Sequence, residues 1–444
     1  MPRMNLEEHP EIRTVRVAAA DLNGVARGKR MPRGAAEKAL TEGTRFPLSA
    51  LNLDIWGEDI DGSPLVFETG DPDGVARATE RGFMPMPWLS APTALLPLWM
   101  YWEDGRAFEG DPRHALARVL GRYTARGLTP VVGTELEFYL IDDSGPELRV
   151  PPSPRSGKRR QGADILSLRA LDAFDMFFTE LYESCDAMGI PADTAISEAG
   201  IGQFEVNLLH EQAMKAADDA WLFKLLVRGV ARKHGFAASF MAKPYADYSG
   251  NGLHVHLSLL DRDGRNVFDD GGPNGTDMLR HGVAGCLAAM RDSTLIFFPH
   301  ATSYERLVPD AHAPTGVCWG YENRTAALRI PGGSPKARRI EHRSAGGDVN
   351  PYLLLATILG SVLNGIEDRR APPAPITGNA YAQGVPQLPD DWATAIDALA
   401  QSEQISRILP AELIANFVAT KRQEFKYIAD LTAQERVDLY LDTV

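Results

Sequence analysis

Cysteine is nearly absent from this chain. There are three in 444 residues, Cys185, Cys286 and Cys318, and none is spaced as a metal ligand. A sparse, odd set gives no disulfide framework and suggests a reducing compartment. No window is long and apolar enough to read as a membrane span, and Met1–Pro10 is too polar for a signal peptide. Positive charge is also short: 46 Lys and Arg stand against 59 Asp and Glu, a formal net charge of −13. That balance argues against nucleic acid as a main partner and suits metals and cationic substrates. The expectation is a cytoplasmic protein with neither a membrane nor a nucleic-acid partner. Internal repeats and a P-loop are missing too.

What remains is a chain that is 44% hydrophobic and long enough for two domains. Val15–Asp21 reads as a strand, a helix follows Pro32, and Leu48–Trp56 and Thr93–Trp102 read as further strands. These short mixed elements predict a small α+β domain over 1–107. Asp111-Pro112 is a good helix start, with Asp at the N-cap and Pro in the first turn. It opens a larger domain over 108–444. There Thr129–Ile141 reads as a strand, and Leu168–Met188, Glu211–His234, Gly275–Thr294 and Asn350–Glu367 read as helices. Ala237–Pro244 reads as a strand, and Trp392–Val444 as helical and amphipathic.

Chemistry concentrates in four stretches. In Glu198-Ala-Gly-Ile-Gly-Gln-Phe-Glu205, two carboxylates flank a glycine turn that lets both face one point. Such a pair also occurs in solvated loops, so other parts must complete it. Glu135 and Glu137 share one face of an otherwise apolar strand, where two buried like charges would repel without a cation between them. His254 and His256 share a strand face after the turn Ser249-Gly-Asn-Gly, and imidazole can complete a carboxylate metal site. Arginines then accumulate, among them Arg324, Arg329 and the alternating Arg339-Ile-Glu341-His-Arg343. Guanidinium groups spaced this way fit either an ion-paired sheet or a clamp for phosphate and carboxylate, with Glu341 joining the metal set.

Taken together, and in this order, Glu-x-Glu, Gly-Gln-Phe-Glu, Gly-x-Gly-x-His-x-His-x-Ser, Asn-Arg-Thr-Ala, Arg-Ile-Pro and Arg-Ile-Glu-x-Arg resemble the glutamine synthetases. The opening Asp21-Leu-Asn-Gly-Val-Ala-Arg-Gly-Lys and the closing Leu431-Thr-Ala-Gln-Glu-Arg segment resemble that family's ends. The resemblance implies an N-terminal β-grasp domain and a catalytic domain with a curved antiparallel sheet and helices. It also implies dodecamers whose active sites are shared between neighbouring subunits. ATP would be used with two or three Mg2+ or Mn2+ ions per site. Carried over residue by residue, Glu137, Glu198 and Glu205 hold one metal, and Glu135, His254 and Glu341 hold the other. His256, Ser258, Lys336 and Arg339 bind ATP. Gly250, Arg306 and Arg343 hold glutamate, and Arg324 and Arg329 face the transferred phosphate.

Two departures bear on the second substrate. Ammonia-using members carry an Asp-Gly-Ser-Ser stretch whose Asp holds ammonium; the comparable region here reads Ala50-Leu-Asn-Leu-Asp54-Ile-Trp-Gly57. The family's flap carries a Glu after Arg-Leu-Val-Pro, and here His312 takes that position. Losing both anions should weaken ammonium binding and admit a larger amine, as in the family's γ-glutamylpolyamine and γ-glutamylamine synthetases. The resulting expectation is a ligase joining the γ-carboxylate of glutamate to an organic amine or polyamine. An ammonia-dependent glutamine synthetase and a non-catalytic assembly protein of this fold are the alternatives.

Overall fold

Two sheets carry the chain in the computed structural model, which describes residues 4–444 apart from 146, 147, 163, 310, 312 and 442. The first sheet has β1 (Thr14–Ala20) at its heart. β1 pairs antiparallel with β2 (Ala26–Pro32) and parallel with β6 (Thr93–Tyr101). β3 (Thr44–Pro47) and β4 (Asp73–Ala78) extend it beyond β6, and β5 (Met84–Pro85) pairs with β6 as well. Val15 and Val17 point to one face and pack with Ala36 and Ala39 of the helix Arg33–Glu42. This is the period-two pattern of a half-buried strand meeting the small face of a helix.

Leu48–Trp56 does not form the expected strand. Leu48–Leu51 is one 3-10 turn, and the chain then folds around Asp54. The Asp54 carboxylate accepts from the Trp56 and Glu58 amides, at 3.0 and 2.9 Å, and from Gln423 Nε2 at 3.1 Å. A side-chain acceptor two residues before its donor competes with extended pairing, and here it wins.

The second sheet runs β12–β13–β14–β11–β7–β9–β8, with β10 also on β7. These are β7 (Thr129–Ile141), β8 (Ala192–Ser197), β9 (Gln203–Gln212), β10 (Ala237–Ser239), β11 (Leu253–Leu260), β12 (Trp319–Tyr321), β13 (Leu328–Ile330) and β14 (Ile340–His342). Every pairing is antiparallel except β12 with β13, so the sheet is mixed rather than wholly antiparallel. Leu136, Phe138 and Leu140 alternate along β7 into the core, against the helix Ala213–Lys233. Pairing of β7 with β9 is regular from Tyr139–Gln203 to Thr134–Leu208. Val132 then faces Glu211, so β9 carries one extra residue there.

Several helices begin or break where the sequence pattern does not show it. Leu168–Met188 divides into Leu168–Asp172 and Asp175–Met188, because Phe174 leaves helical geometry to bury its ring. β9 runs to Gln212, so the next helix starts at Ala213, not Glu211. Ala237–Pro244 is a strand only over Ala237–Ser239. Trp392–Val444 holds Trp392–Ala400, Glu403–Ser406, Ala411–Tyr427 and Ala433–Leu441. Ser402 caps the second of these by accepting from the Ile405 amide, and Pro410 opens the third.

One buried ion pair ties the helix Pro112–Thr124 to Ala213–Lys233. Arg113 Nε lies 3.0 Å from Asp218 Oδ1, and its guanidinium covers the Trp99 ring at 4.3 Å. Removing Arg113 would strand the buried Asp218 carboxylate, at a cost of about 3–5 kcal/mol.

Candidate active site

The polar face of β7 is the floor of the site. Glu135 and Glu137 project from it while their neighbours enter the core. Cross-strand register then assembles three rows. His254 of β11 lies opposite Glu135, with Asn207 of β9 on the other side. Glu205 of β9 lies opposite Glu137. Glu341 of β14 lies opposite His256 on one side and Arg329 of β13 on the other. Residues more than two hundred apart in sequence thus become neighbours because five strands share one face.

The contacts are short. Glu135 accepts from His254 Nδ1 and His256 Nε2, each at 2.9 Å. Arg339 Nε donates to His256 Nδ1 at 3.1 Å, which places the imidazole proton on Nε2. Glu137 Oε2 accepts from the Gly252 amide at 2.6 Å. Arg329 Nη1 lies 2.7 Å from Glu341 Oε2, and Arg343 pairs with the other oxygen. Ser258 Oγ donates to the Arg338 carbonyl at 2.9 Å, beside His256 and Arg339. Lys336 is exposed on the adjoining turn. Arg306 is buried and donates to the Ser344 carbonyl at 2.8 Å. A Cβ on Gly250 would stand 2.4 Å from the Ala242 oxygen and 2.7 Å from Arg306 Cγ, so only glycine fits. His312 lies outside the described residues.

Electrostatics at the floor are unbalanced. Burial, with repulsion from Glu135, Glu137 and Glu198, pushes the Glu205 carboxyl up to about 9. Burial and the charge of Glu137 push Glu198 up to about 7, although Arg324 acts in the other direction. Burial opposes ionisation of Glu135 too, but hydrogen bonds from the two histidines hold it below the usual carboxylate range. Burial likewise opposes ionisation of Glu341, while Arg343 and the nearby histidines lower it. Crowded carboxylates that must protonate to coexist are what a divalent cation relieves. Among the described residues, two groups have ligand atoms close enough to share an ion: Glu135 with His256 and Glu341, and Glu135 with Glu205 and His254. The donor set therefore fits a hard dication. The first group brings His256 beside Glu341, and the second brings Glu205 beside His254.

A pH dependence follows. In the metal-free fold Glu205 keeps its proton until about 9, against an ordinary value of 4.5. Between these values the folded state holds a proton that the unfolded state has lost, so stability falls as pH rises through that window. A cation must displace the proton, so its affinity rises with pH. Mg2+ is expected to raise the melting temperature more at pH 8 than at pH 6. Calorimetry at both pH values checks this, and equal shifts would remove Glu205 from the ligand set.

Two supporting residues carry no signal of their own in the sequence. Gln203 Oε1 accepts from the Gly200 amide at 2.9 Å, and its Nε2 donates to Gly250 O and Asn251 Oδ1, both at 3.0 Å. Asn251 in turn donates to the Met241 carbonyl at 2.9 Å. Together they sew the Glu198 turn to the Gly250 loop. Both sit inside the motifs quoted above, which was the only hint available.

Residues 109–440 match the family described as glutamine synthetase, catalytic domain. The chain belongs to the glutamine synthetase family. Within it, the chain is 35% identical to gamma-glutamylputrescine synthetase of Escherichia coli (strain K12), covering 98% of this chain and 93% of that protein. It is 32% identical to gamma-glutamylethanolamide synthetase of Streptomyces coelicolor (strain ATCC BAA-471 / A3(2) / M145), over 93% and 89%. The solved structure of a GmaS/ADP complex (conformation 1) superposes with a TM-score of 0.84 at 30% identity, covering 98% of each chain. The family and the likeness to its amine ligases are as the motifs implied. Among the described residues no helix is long and apolar enough to cross a membrane.

Proposed function

We propose that this glutamine synthetase relative is an ATP-dependent ligase that joins the γ-carboxylate of glutamate to an organic amine through a γ-glutamyl phosphate. The observation that carries this reading is the three-row cluster of carboxylates, histidines and arginines on one sheet face, in a chain similar to amine ligases over nearly its whole length. A carboxylate is a poor acyl donor until its oxygen becomes a good leaving group, and phosphorylation makes it one. Arg306 and Arg343, with the Gly250 loop, hold glutamate. His256, Ser258, Lys336 and Arg339 hold the nucleotide. Arg324 and Arg329 neutralise charge on the phosphoryl group in transit. Glu135, Glu137, Glu198, Glu205, His254 and Glu341 are the ligands for Mg2+ or Mn2+. Those ions, two or three per site, would supply Lewis-acid charge neutralisation. The same reading takes 1–107 as the smaller domain and 108–444 as the catalytic one. It carries a homo-oligomer, a dodecamer with sites at subunit boundaries, working in the cytoplasm.

His312, known here from sequence alone, is the proposed selector of the amine. A neutral imidazole can take a proton from the attacking amine, and its ordinary pKa near 6.5 suits that task. It lacks the permanent negative charge that would concentrate ammonium. Asp54, the other candidate anion, has its carboxylate committed to Trp56, Glu58 and Gln423. An organic amine offsets the loss by burying carbon, at roughly 0.8 kcal/mol per CH2. Three methylenes contribute about 2.4 kcal/mol, somewhat under two decades in affinity. The expected result is a higher kcat/KM for at least one primary monoamine, diamine or polyamine than for ammonium. His312→Glu should shift the ranking toward ammonium. Wild-type preference for ammonium over every amine tested overturns the reading.

A further inference from the structure

The chain leaves β12 at Glu322 with φ +51°, a left-handed backbone that residues with a Cβ avoid. Strain of this kind persists only where surrounding contacts over-determine it. Three do so. The Glu322 amide donates to the Ile330 carbonyl at 3.1 Å. Its carboxylate accepts from the Gly332 amide. Its Oε1 lies 3.1 Å from Arg329 Nη2. The other terminal nitrogen of Arg329 is on Glu341. Arg329 is thus held at both ends of its guanidinium by two carboxylates of opposite character. Glu341 is 1% exposed at the floor of the site, and Glu322 is 58% exposed at the rim. Arg324 also lies within electrostatic reach of Glu322.

We propose that Glu322 is a positioning residue for phosphoryl transfer, an outer carboxylate that fixes the plane of the Arg329 guanidinium from the side opposite Glu341. This rests on the ligase reading given above. A guanidinium gripped at one nitrogen can swing on its aliphatic stem, and a two-point hold fixes it. Without Glu322, Arg329 is free to turn both terminal nitrogens onto Glu341. That bidentate pair would draw positive charge away from the phosphoryl position. The left-handed turn at Glu322 is the means by which a side chain from the end of β12 reaches back over β13.

The test compares wild type with Glu322→Gly and Glu322→Gln. Glycine relaxes the backbone while deleting the carboxylate, so a loss of activity cannot be blamed on strain. Glu322→Gly is expected to lower kcat about 10- to 100-fold, because small misplacements of a catalytic group have effects of that size. KM for glutamate and ATP should stay within a few-fold, and the melting temperature should hold or rise. Affinity for ADP with aluminium fluoride, in the presence of Mg2+ and glutamate, should fall by a similar factor while affinity for ADP alone is unchanged. Glu322→Gln keeps an acceptor for Gly332 and Arg329 and should recover most of the activity. A wild-type kcat in Glu322→Gly overturns the inference. So does a loss matched by equal falls in ADP affinity and melting temperature, which marks a turn brace only. If wild-type protein turns over none of the amines, the ligase reading fails on its own, and the aluminium fluoride comparison still decides the role of Glu322.

Discussion

Replacing Glu205 or Glu137 by Gln is expected to cut kcat by about three orders of magnitude, since a dication's charge neutralisation is worth several kcal/mol and each 1.36 kcal/mol is a decade. The fold should survive. Glu205 is pushed up to about 9, so at neutral pH the metal-free protein already holds it as a neutral carboxyl, for which Gln is close in shape and charge. Glu137 accepts a hydrogen bond from the Gly252 amide, and a Gln oxygen can accept the same bond. Stability and catalysis should therefore separate. Melting temperature in the absence of cation stays level or rises, while Mg2+ binding by calorimetry weakens together with turnover. Either mutant working at the wild-type rate with saturating substrates would take that residue out of the ligand set.

Gly250→Ala is expected to raise KM for glutamate about 30- to 100-fold, with little change in KM for ATP. The added methyl carbon would stand 2.4 Å from the Ala242 oxygen and 2.7 Å from Arg306 Cγ. The oxygen cannot retreat easily, because the Asn251 amide donates to it at 2.9 Å. The Gly250 carbonyl is pinned in turn by Gln203. Arg306 is the part that must move. It is one of the two arginines assigned to glutamate, and a charge-assisted hydrogen bond is worth about 1.5–3 kcal/mol, or one to two decades. Steady-state kinetics with glutamate and ATP varied separately reads this out. An unchanged glutamate KM would mean that Arg306 does not touch that substrate.

Much of the site could be read from spacing because strands repeat every two residues. Glu135 with Glu137, and His254 with His256, had to share faces once the flanking residues were apolar. Partners across strands were a different matter. The register of β11 against β14 sets Glu341 opposite His256, and nothing in either segment specifies that alignment. Which of these residues share an ion is therefore not set by spacing along any one strand. Leu48–Trp56 failed for a local reason: its apolar residues imitate a strand, while Asp54 captures the amides of Trp56 and Glu58 and turns the chain. Gln203 and Asn251 were invisible as braces, since a polar residue's partners are fixed only once distant loops meet. Glu322 was missed for the same reason, its partners coming from β13 and from the turn after it.

The extra residue in β9 sets where this strand can change length. A one-residue shift turns every strand side chain to the opposite face. From Gln203 to Leu208, an inserted residue would offer Phe204 or Val206 to the site where Glu205 belongs. At the irregularity, Leu209 and His210 are exposed and pair with no residue of β7 in register. A gain or loss there is absorbed before it reaches the carboxylates. Over a few positions the strand passes from a segment whose residue count is fixed by chemistry to one whose count is free to drift.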